Sequence, residues 1–375
     1  MNFLQTIERK FNKRYYRLLA KKQKSDYIQK NYIAKNKLIL FFVPNDFNFI
    51  SGGILSICTI FNSIKKFEKL HKSDVFASFL PHFKEKFAKY HRFKNDLVIF
   101  NFEEIKNIYP TLDTLEIHIP EIFIKDLVNT IGQKSAFNEW LKNCKNIKIN
   151  ILNQNDFYMP DEKFVEDLKQ LTANITMTVA HEKYATLDKR NQYNIPLHLF
   201  SPWLSPTPYA YSHYSEKENI IVLSPDEIEK KIYQTKLTRQ DIVTKLKKEL
   251  PNYTLITVKD MKYDTYKSLI GKAKFAITFG EGLDGYFIEP LFSGSISFAV
   301  KNPIFFNYQF EDARTVFPTY DALMKGIIDA IKKLDNEKEY DDLNNDLIQR
   351  AKSIYSLERL ESNIENYYLG NIDFT

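Results

Sequence analysis

Cysteine occurs only twice in the 375 residues, at Cys58 and Cys144. Two distant thiols cannot form a disulfide framework, and they suit a cytosolic protein in which both are buried. No apolar run reaches the roughly 18–20 residues that span a bilayer, and no signal-peptide pattern opens the chain, so a cytoplasmic location is expected. Internal repeats are absent, as are low-complexity tracts beyond a basic stretch at the start. Neither a P-loop nor a G-x-G-x-x-G fingerprint is present. No nucleophile stands with a paired base, so nothing argues for a covalent intermediate.

The charge is concentrated. The formal net charge is +6, yet residues 1–37 hold eleven Lys or Arg against Glu8 and Asp26, so the remainder is net acidic. Within this arm Leu4, Ile7, Phe11, Tyr15 and Leu18 recur on one helical face. A basic amphipathic helix of this kind lies in an anionic membrane interface, or it packs its apolar stripe on the adjoining domain. Nucleic-acid binding is a weaker third reading, because the rest of the chain carries no matching basic stripe.

At this length a single core is not expected, since cores rarely grow past about 250–300 residues. From Leu38 short apolar runs alternate with helical periodicity: "LILFFVPN", "DVFASFLP", "LVIFNF", "LEIHIP", "IKINIL" and "ITMTVAH". Residues 123–144 read as one long helix. The alternation stops at "NIPLHLFSPWLSPTPYAYSHYSEKEN", rich in proline and serine, and restarts with "IIVLS", "YTLITV", "FAITF" and "SISFAV". Strands alternating with helices indicate parallel sheets covered on both faces. The pattern predicts an α/β protein with a basic arm (1–37), a first Rossmann-like domain (38–200), a linker (201–218), a second such domain (219–345) and a terminal helix (346–375) returning to the first. Ligands of such sheets bind at the carboxyl ends of the strands.

Four clusters follow strands. Gly52 and Gly53, in "FISGGIL", open a helix either as a tight turn or as an anion site. His181, after "TMTVA", either is structural or donates a hydrogen bond to a sugar hydroxyl or phosphate. Ser224-Pro225-Asp226-Glu227 has the form of a helix start, with Lys230, Lys231, Lys236 and Arg239 after it; Lys231 and Lys236 are the candidates for a diphosphate. Last, "ITFGEGLDGYFIEPLFSGSISFAV" places Glu281 and Glu289 around a glycine-rich turn. Pro290 predicts a helix beginning near Phe287 with the proline in its first turn. Both acids would then be either N-terminal acids favoured by the helix dipole or ligand-binding carboxylates.

"EGLDGYFIEPLFSG" resembles the E-x7-E element of retaining GT-B glycosyltransferases of the family 4 type, which reads like E-G-F-G-L-P-x-x-E-A-x-x-x-G. Glu281, Gly282, Glu289 and Gly294 fall on equivalent places. Leu283-Asp284-Gly285 departs from Phe-Gly-Leu, Pro290 replaces Ala, and the Arg/Lys pair used on the diphosphate has no clean match. The resemblance implies a GT-B architecture with two sheets facing a cleft. It also implies transfer of a hexose, with retention, from a nucleotide-diphosphate sugar (UDP favoured) to a glycan hydroxyl in bacterial surface-polysaccharide synthesis, such as capsule or lipooligosaccharide. By position Glu289 would hold the ribose, Glu281 the donor sugar, the N–H groups of Gly282 and Leu283 the phosphate, and His181 the C6 hydroxyl. Neither metal nor cofactor is implied. A sugar-nucleotide epimerase or phosphorylase on the same fold, and a non-catalytic scaffold subunit, are the alternatives.

Overall fold

The computed structural model describes residues 3–32, 36–48, 50–84, 87–203, 205–302, 305–306 and 308–375. It forms two compact units, Met1–Pro206 with Leu357–Thr375, and Thr207–Ser356.

The first unit is built on seven strands: β1 (Lys37–Phe42), β2 (Asp74–Ser78), β3 (Ile99–Phe100), β4 (Leu112–Pro120), β5 (Cys144–Asn153), β6 (Ile175–Val179) and β7 (Leu197–Leu199). All pair in parallel, in the order β3-β2-β1-β4-β5-β6-β7. The continuous apolar run of β1 is buried from Leu38 onward, as a strand covered on both faces requires. Strand β7 lies inside the proline-rich stretch, where three residues give too little periodicity to be read. Residues 123–144 are not one helix. Gly132 ends Ile124–Ile131, and Ser135 caps Ala136–Leu141 by accepting the Asn138 N–H; these local breaks override the longer apolar period. Both cysteines are free and buried.

The basic arm is helical over Phe3–Asn31. Its end is fixed to the first unit: the Tyr27 hydroxyl donates to the Val75 carbonyl of β2 at 2.6 Å, and Lys24 pairs with Glu104 on the helix Phe102–Ile108. Of the predicted apolar stripe, the side chains of Leu4, Ile7 and Phe11 lie outside the described residues. Tyr15 and Leu18 are exposed, at 58% and 62%. Among the described residues no helix is long and apolar enough to cross a membrane.

The second unit holds β8 (Glu218–Leu223), β9 (Thr254–Thr257), β10 (Ala273–Ile277), β11 (Ile296–Val300) and β12 (Val316–Phe317), parallel in the order β12-β11-β10-β8-β9. The terminal segment is two helices rather than one. Glu337–Lys352 belongs to this unit, while Leu357–Leu369 belongs to the first. There Tyr367 and Tyr368 meet Glu116 of β4 from the polar face of the sheet.

The helix predicted from Ser224 does not start there. Ser224 Oγ accepts the Phe279 N–H across the sheet at 3.0 Å, so it is not free to cap. A single turn, Lys230–Tyr233, follows, and the long helix Arg239–Glu249 is capped by Thr238 with Asp241 reciprocating.

Candidate functional site

The helix after β10 runs from Gly285 to Phe292, two residues earlier than Pro290 suggested. Its cap is Asp284, whose Oδ1 accepts the Phe287 N–H at 3.1 Å while Oδ2 accepts the Thr278 hydroxyl at 2.8 Å. Pro290 therefore sits in the helix interior, not the first turn. The choice posed by the two glutamates resolves simply: neither caps the helix, because Asp284 does. Burial, with Asp226 and Glu281 close by and the Thr278 bond opposing, raises the Asp284 carboxyl to about 7. A cap only partly ionised at pH 7 opposes an anion at the helix start less than a full negative charge would.

Gly282 has φ +84°, and a Cβ there would stand 2.4 Å from Phe306 Cε2 and 2.9 Å from the Val300 carbonyl. Only glycine satisfies both the left-handed backbone and this packing. The turn leaves the N–H groups of Gly282 and Leu283 without a hydrogen-bond acceptor among the described residues. Leu283 is anchored in the core of the unit. Glu281, one residue before the turn, is exposed.

Glu289 is 4% exposed. Its Oε2 accepts the hydroxyls of Tyr263 at 2.5 Å and Tyr209 at 3.0 Å, and Oε1 receives no hydrogen bond from the described residues. Lys267 lies over both rings, 4.8 Å from that of Tyr209 and 5.7 Å from that of Tyr263. It is held there by bonds to Thr207 and Pro208. Burial raises the Glu289 carboxyl to about 7, with the two tyrosines and Lys267 pulling the other way. The arrangement offers one preorganised carboxylate oxygen beside two anchored phenols, which suits a neutral diol.

Lys231 and Lys236 are exposed and bond to none of the described residues. Tyr233, between them, donates to the Gly280 carbonyl at 2.6 Å and so holds this turn beside the loop. Arg239 is brought to the ends of β8 and β9. It donates to the Ser224 carbonyl at 3.2 Å and to Thr257 Oγ1 at 2.7 Å, after β8 and at the end of β9.

Gly52, Gly53 and His181 belong to the first unit. The two glycines are the first residues of the helix Gly52–Lys66, capped by Ser51. A Cβ on Gly53 would meet nothing closer than 3.7 Å, so the position is not sterically reserved for glycine. His181 follows β6; burial, with Lys183 adding, lowers it to about 4, so the ring is neutral at pH 7. It can donate one hydrogen bond, but it is not charged. Glu182 is taken up in an ion pair with Arg359.

No protein-family model matches the sequence, and a comparison with curated proteins returned no match. Solved structures match along nearly the whole chain. A glycosyltransferase from Rickettsia africae is 12% identical, with 90% of this chain and 100% of that one covered at a TM-score of 0.50. Sucrose-phosphate synthase from Thermosynechococcus elongatus is 9% identical, covering 89% and 99% at 0.53. Anabaena HepE, solved with UDP and glucose, is 8% identical, covering 90% and 100% at 0.54. The fold is that of GT-B glycosyltransferases.

Tyr209, Tyr263 and Lys267 gather at Glu289, and Arg239 stands at the ends of β8 and β9. Nothing local marks Tyr209 or Tyr263, which join Glu289 only through tertiary packing. Asp284 was readable: an Asp followed by an apolar helical run is a cap signal. Arg239 stood among the basic residues after β8, but the false helix start at Ser224 hid its position.

Proposed function

We propose that the protein transfers a sugar, with retention, from a nucleotide-diphosphate sugar to a hydroxyl of a glycan acceptor. The observation that carries this is Glu289, buried with one oxygen held by Tyr263 and Tyr209 and the other unclaimed by the described residues. It stands on a helix whose preceding turn presents two N–H groups with no acceptor among the described residues. The E-x7-E resemblance assigns these groups to ribose and phosphate, and HepE, which shares the fold, was solved with UDP and glucose. A UDP-sugar is accordingly the favoured donor, and the second unit its binding unit.

In this reading Glu289 accepts the ribose hydroxyls, Glu281 meets the donor sugar, and the N–H groups of Gly282 and Leu283 take the phosphate. Arg239, and Lys231 and Lys236 beside Tyr233, supply the positive potential. Departure of the nucleoside diphosphate is assisted by donors fixed before the reaction, which lose no reorganisation energy during it. The leaving phosphate takes the proton of the acceptor hydroxyl as the new bond forms on the same face. His181, neutral, donates a hydrogen bond to the sugar. The first unit receives the acceptor. The exposed Tyr15 and Leu18, together with exposed Arg17, Lys21 and Lys22, support peripheral contact of the arm with anionic lipid at the inner face of the membrane. That location suits synthesis of a bacterial surface polysaccharide.

The test is calorimetric titration of the full chain with UDP, GDP, CMP and dTDP, followed by donor hydrolysis and NMR of the anomeric product. Binding of one nucleotide, weakened about tenfold or more by Glu289→Ala, and a product of retained configuration are expected. Absence of nucleotide binding, or unchanged affinity and hydrolysis in both Glu289→Ala and Glu281→Ala, would overturn the assignment.

A further inference from the structure

Glu121 plays no part in the donor chemistry. It follows β4 at the carboxyl edge of the first sheet and is 6% exposed. Its Oε1 accepts the Gln154 N–H at 3.1 Å, and its own backbone N–H also faces the carboxyl. Burial nevertheless raises it to about 7, because these two N–H groups oppose desolvation only in part and no cation is among its influences. A glutamine would accept the same N–H without this cost, so a purely structural clasp does not explain an ionisable group here.

The surroundings identify a class of ligand. Pro120 pairs with Leu152 and Asn153 with Val179, so Glu121, Gln154 and His181 follow three adjacent strands at one edge. Gln154 Cγ lies 4.0 Å from where a Cβ on Gly53 would be, which brings the start of the helix Gly52–Lys66 to the same place. Asn153 Oδ1 is buried without a partner among the described residues. Beyond Gln154 come two exposed aromatic rings, Phe157 at 63% and Tyr158 at 60%. A buried carboxyl repels a free anion, and among the described residues no group of acids, histidines or cysteines gathers that could hold a cation. Hydrogen-bonding groups of both kinds, followed three and four residues along the chain by exposed rings, suit a sugar, whose hydroxyls donate and accept and whose C–H face is apolar.

We propose that Glu121 is the hydroxyl-binding residue of a sugar subsite at this edge, taking a pyranose of the acceptor glycan whose apolar face lies on Phe157 or Tyr158. The inference rests on the sugar-transfer reading, and its test is kept separate from the donor. The full chain is titrated with p-nitrophenyl pyranosides (glucoside, galactoside and N-acetylglucosaminide) by saturation-transfer NMR, and with UDP by calorimetry. At least one pyranoside should bind. Glu121→Ala should weaken it by about tenfold, as loss of a charge-assisted hydrogen bond implies. Phe157→Ala/Tyr158→Ala should weaken it several-fold, with UDP affinity unchanged in all variants. Should the alanine variant fail to fold, Glu121→Gln decides, since it keeps the acceptor for Gln154 and should still lose affinity for the pyranoside. If the wild type binds none of the pyranosides, if the folded Glu121 variants bind as well as wild type, or if they lose UDP and pyranoside equally, the proposal is overturned. Pyranoside binding lost with Glu121 in a protein that binds no nucleotide supports this subsite and counts against the donor assignment alone.

Discussion

Replacing Glu289 by glutamine should stabilise the protein at high pH while weakening its nucleotide binding. The carboxyl stands at about 7 instead of the ordinary 4.5. A carboxyl raised by folding contributes fully below its unfolded value, and that contribution is lost as pH rises through the folded one. At roughly 1.4 kcal/mol per unit, about 3 kcal/mol separates the two ends of this window. Glu289 is 4% exposed, so solvent screening removes little of it. Glutamine keeps an oxygen for the hydroxyls of Tyr263 and Tyr209 and cannot ionise. Urea unfolding followed at 222 nm should therefore show Glu289→Gln gaining on the wild type by roughly 2–3 kcal/mol between pH 5 and pH 8.5, with an unchanged denaturant slope. Glu121 titrates in the same window in both proteins, so comparison with the parent cancels it. Asp284, whose charge adds to the rise at Glu289, is coupled to it and is held constant by making the comparison in an Asp284→Asn background as well. Calorimetry with UDP should show about a tenfold loss, because an amide oxygen replaces a carboxylate facing the diol. A stability difference that is the same at both pH values would refute the account of Glu289 as a buried charge.

Gly282→Ala should cost about 1–3 kcal/mol from backbone strain alone and lower the thermal midpoint together with UDP affinity, since its Cβ would meet Phe306 and the Val300 carbonyl; an unchanged midpoint would contradict the left-handed turn. Asp284→Ala should lose about 1 kcal/mol with the cap, whereas Asp284→Asn keeps the acceptor for the Phe287 N–H and should match or exceed the wild type above pH 7. Equal losses in the two variants, measured by urea unfolding at pH 8, would argue against capping as the role of this side chain. Changing Arg17, Lys21 and Lys22 together to glutamate should reduce sedimentation with phosphatidylserine vesicles, at about 1 kcal/mol for each basic residue near the surface. The same bound fraction as wild type would exclude this face of the arm as a lipid contact.

Alternation of apolar runs with helical periods sufficed to read two parallel-sheet units, because buried parallel strands must be continuously apolar and their crossovers need helices. The E-x7-E stretch was legible for the same local reason: strand, glycines and helix are set by residues adjacent in the chain. Sequence alone also placed the positive charge in the arm and the thiols in buried positions. Two helix starts went astray where a side chain answered to a distant partner. Ser224 reads as a cap but is claimed by the Phe279 N–H, and Pro290 drew attention from Asp284, which holds both Thr278 and the Phe287 N–H. Only the tertiary structure decided that Tyr209, from the proline-rich stretch, and Tyr263, from the helix after β9, both donate to Glu289, and that Glu121 lies buried beside Gln154. Hydrogen-bond partners dozens of residues apart leave no period or spacing in a chain, and the desolvation that shifts a carboxyl exists only once other segments have covered it.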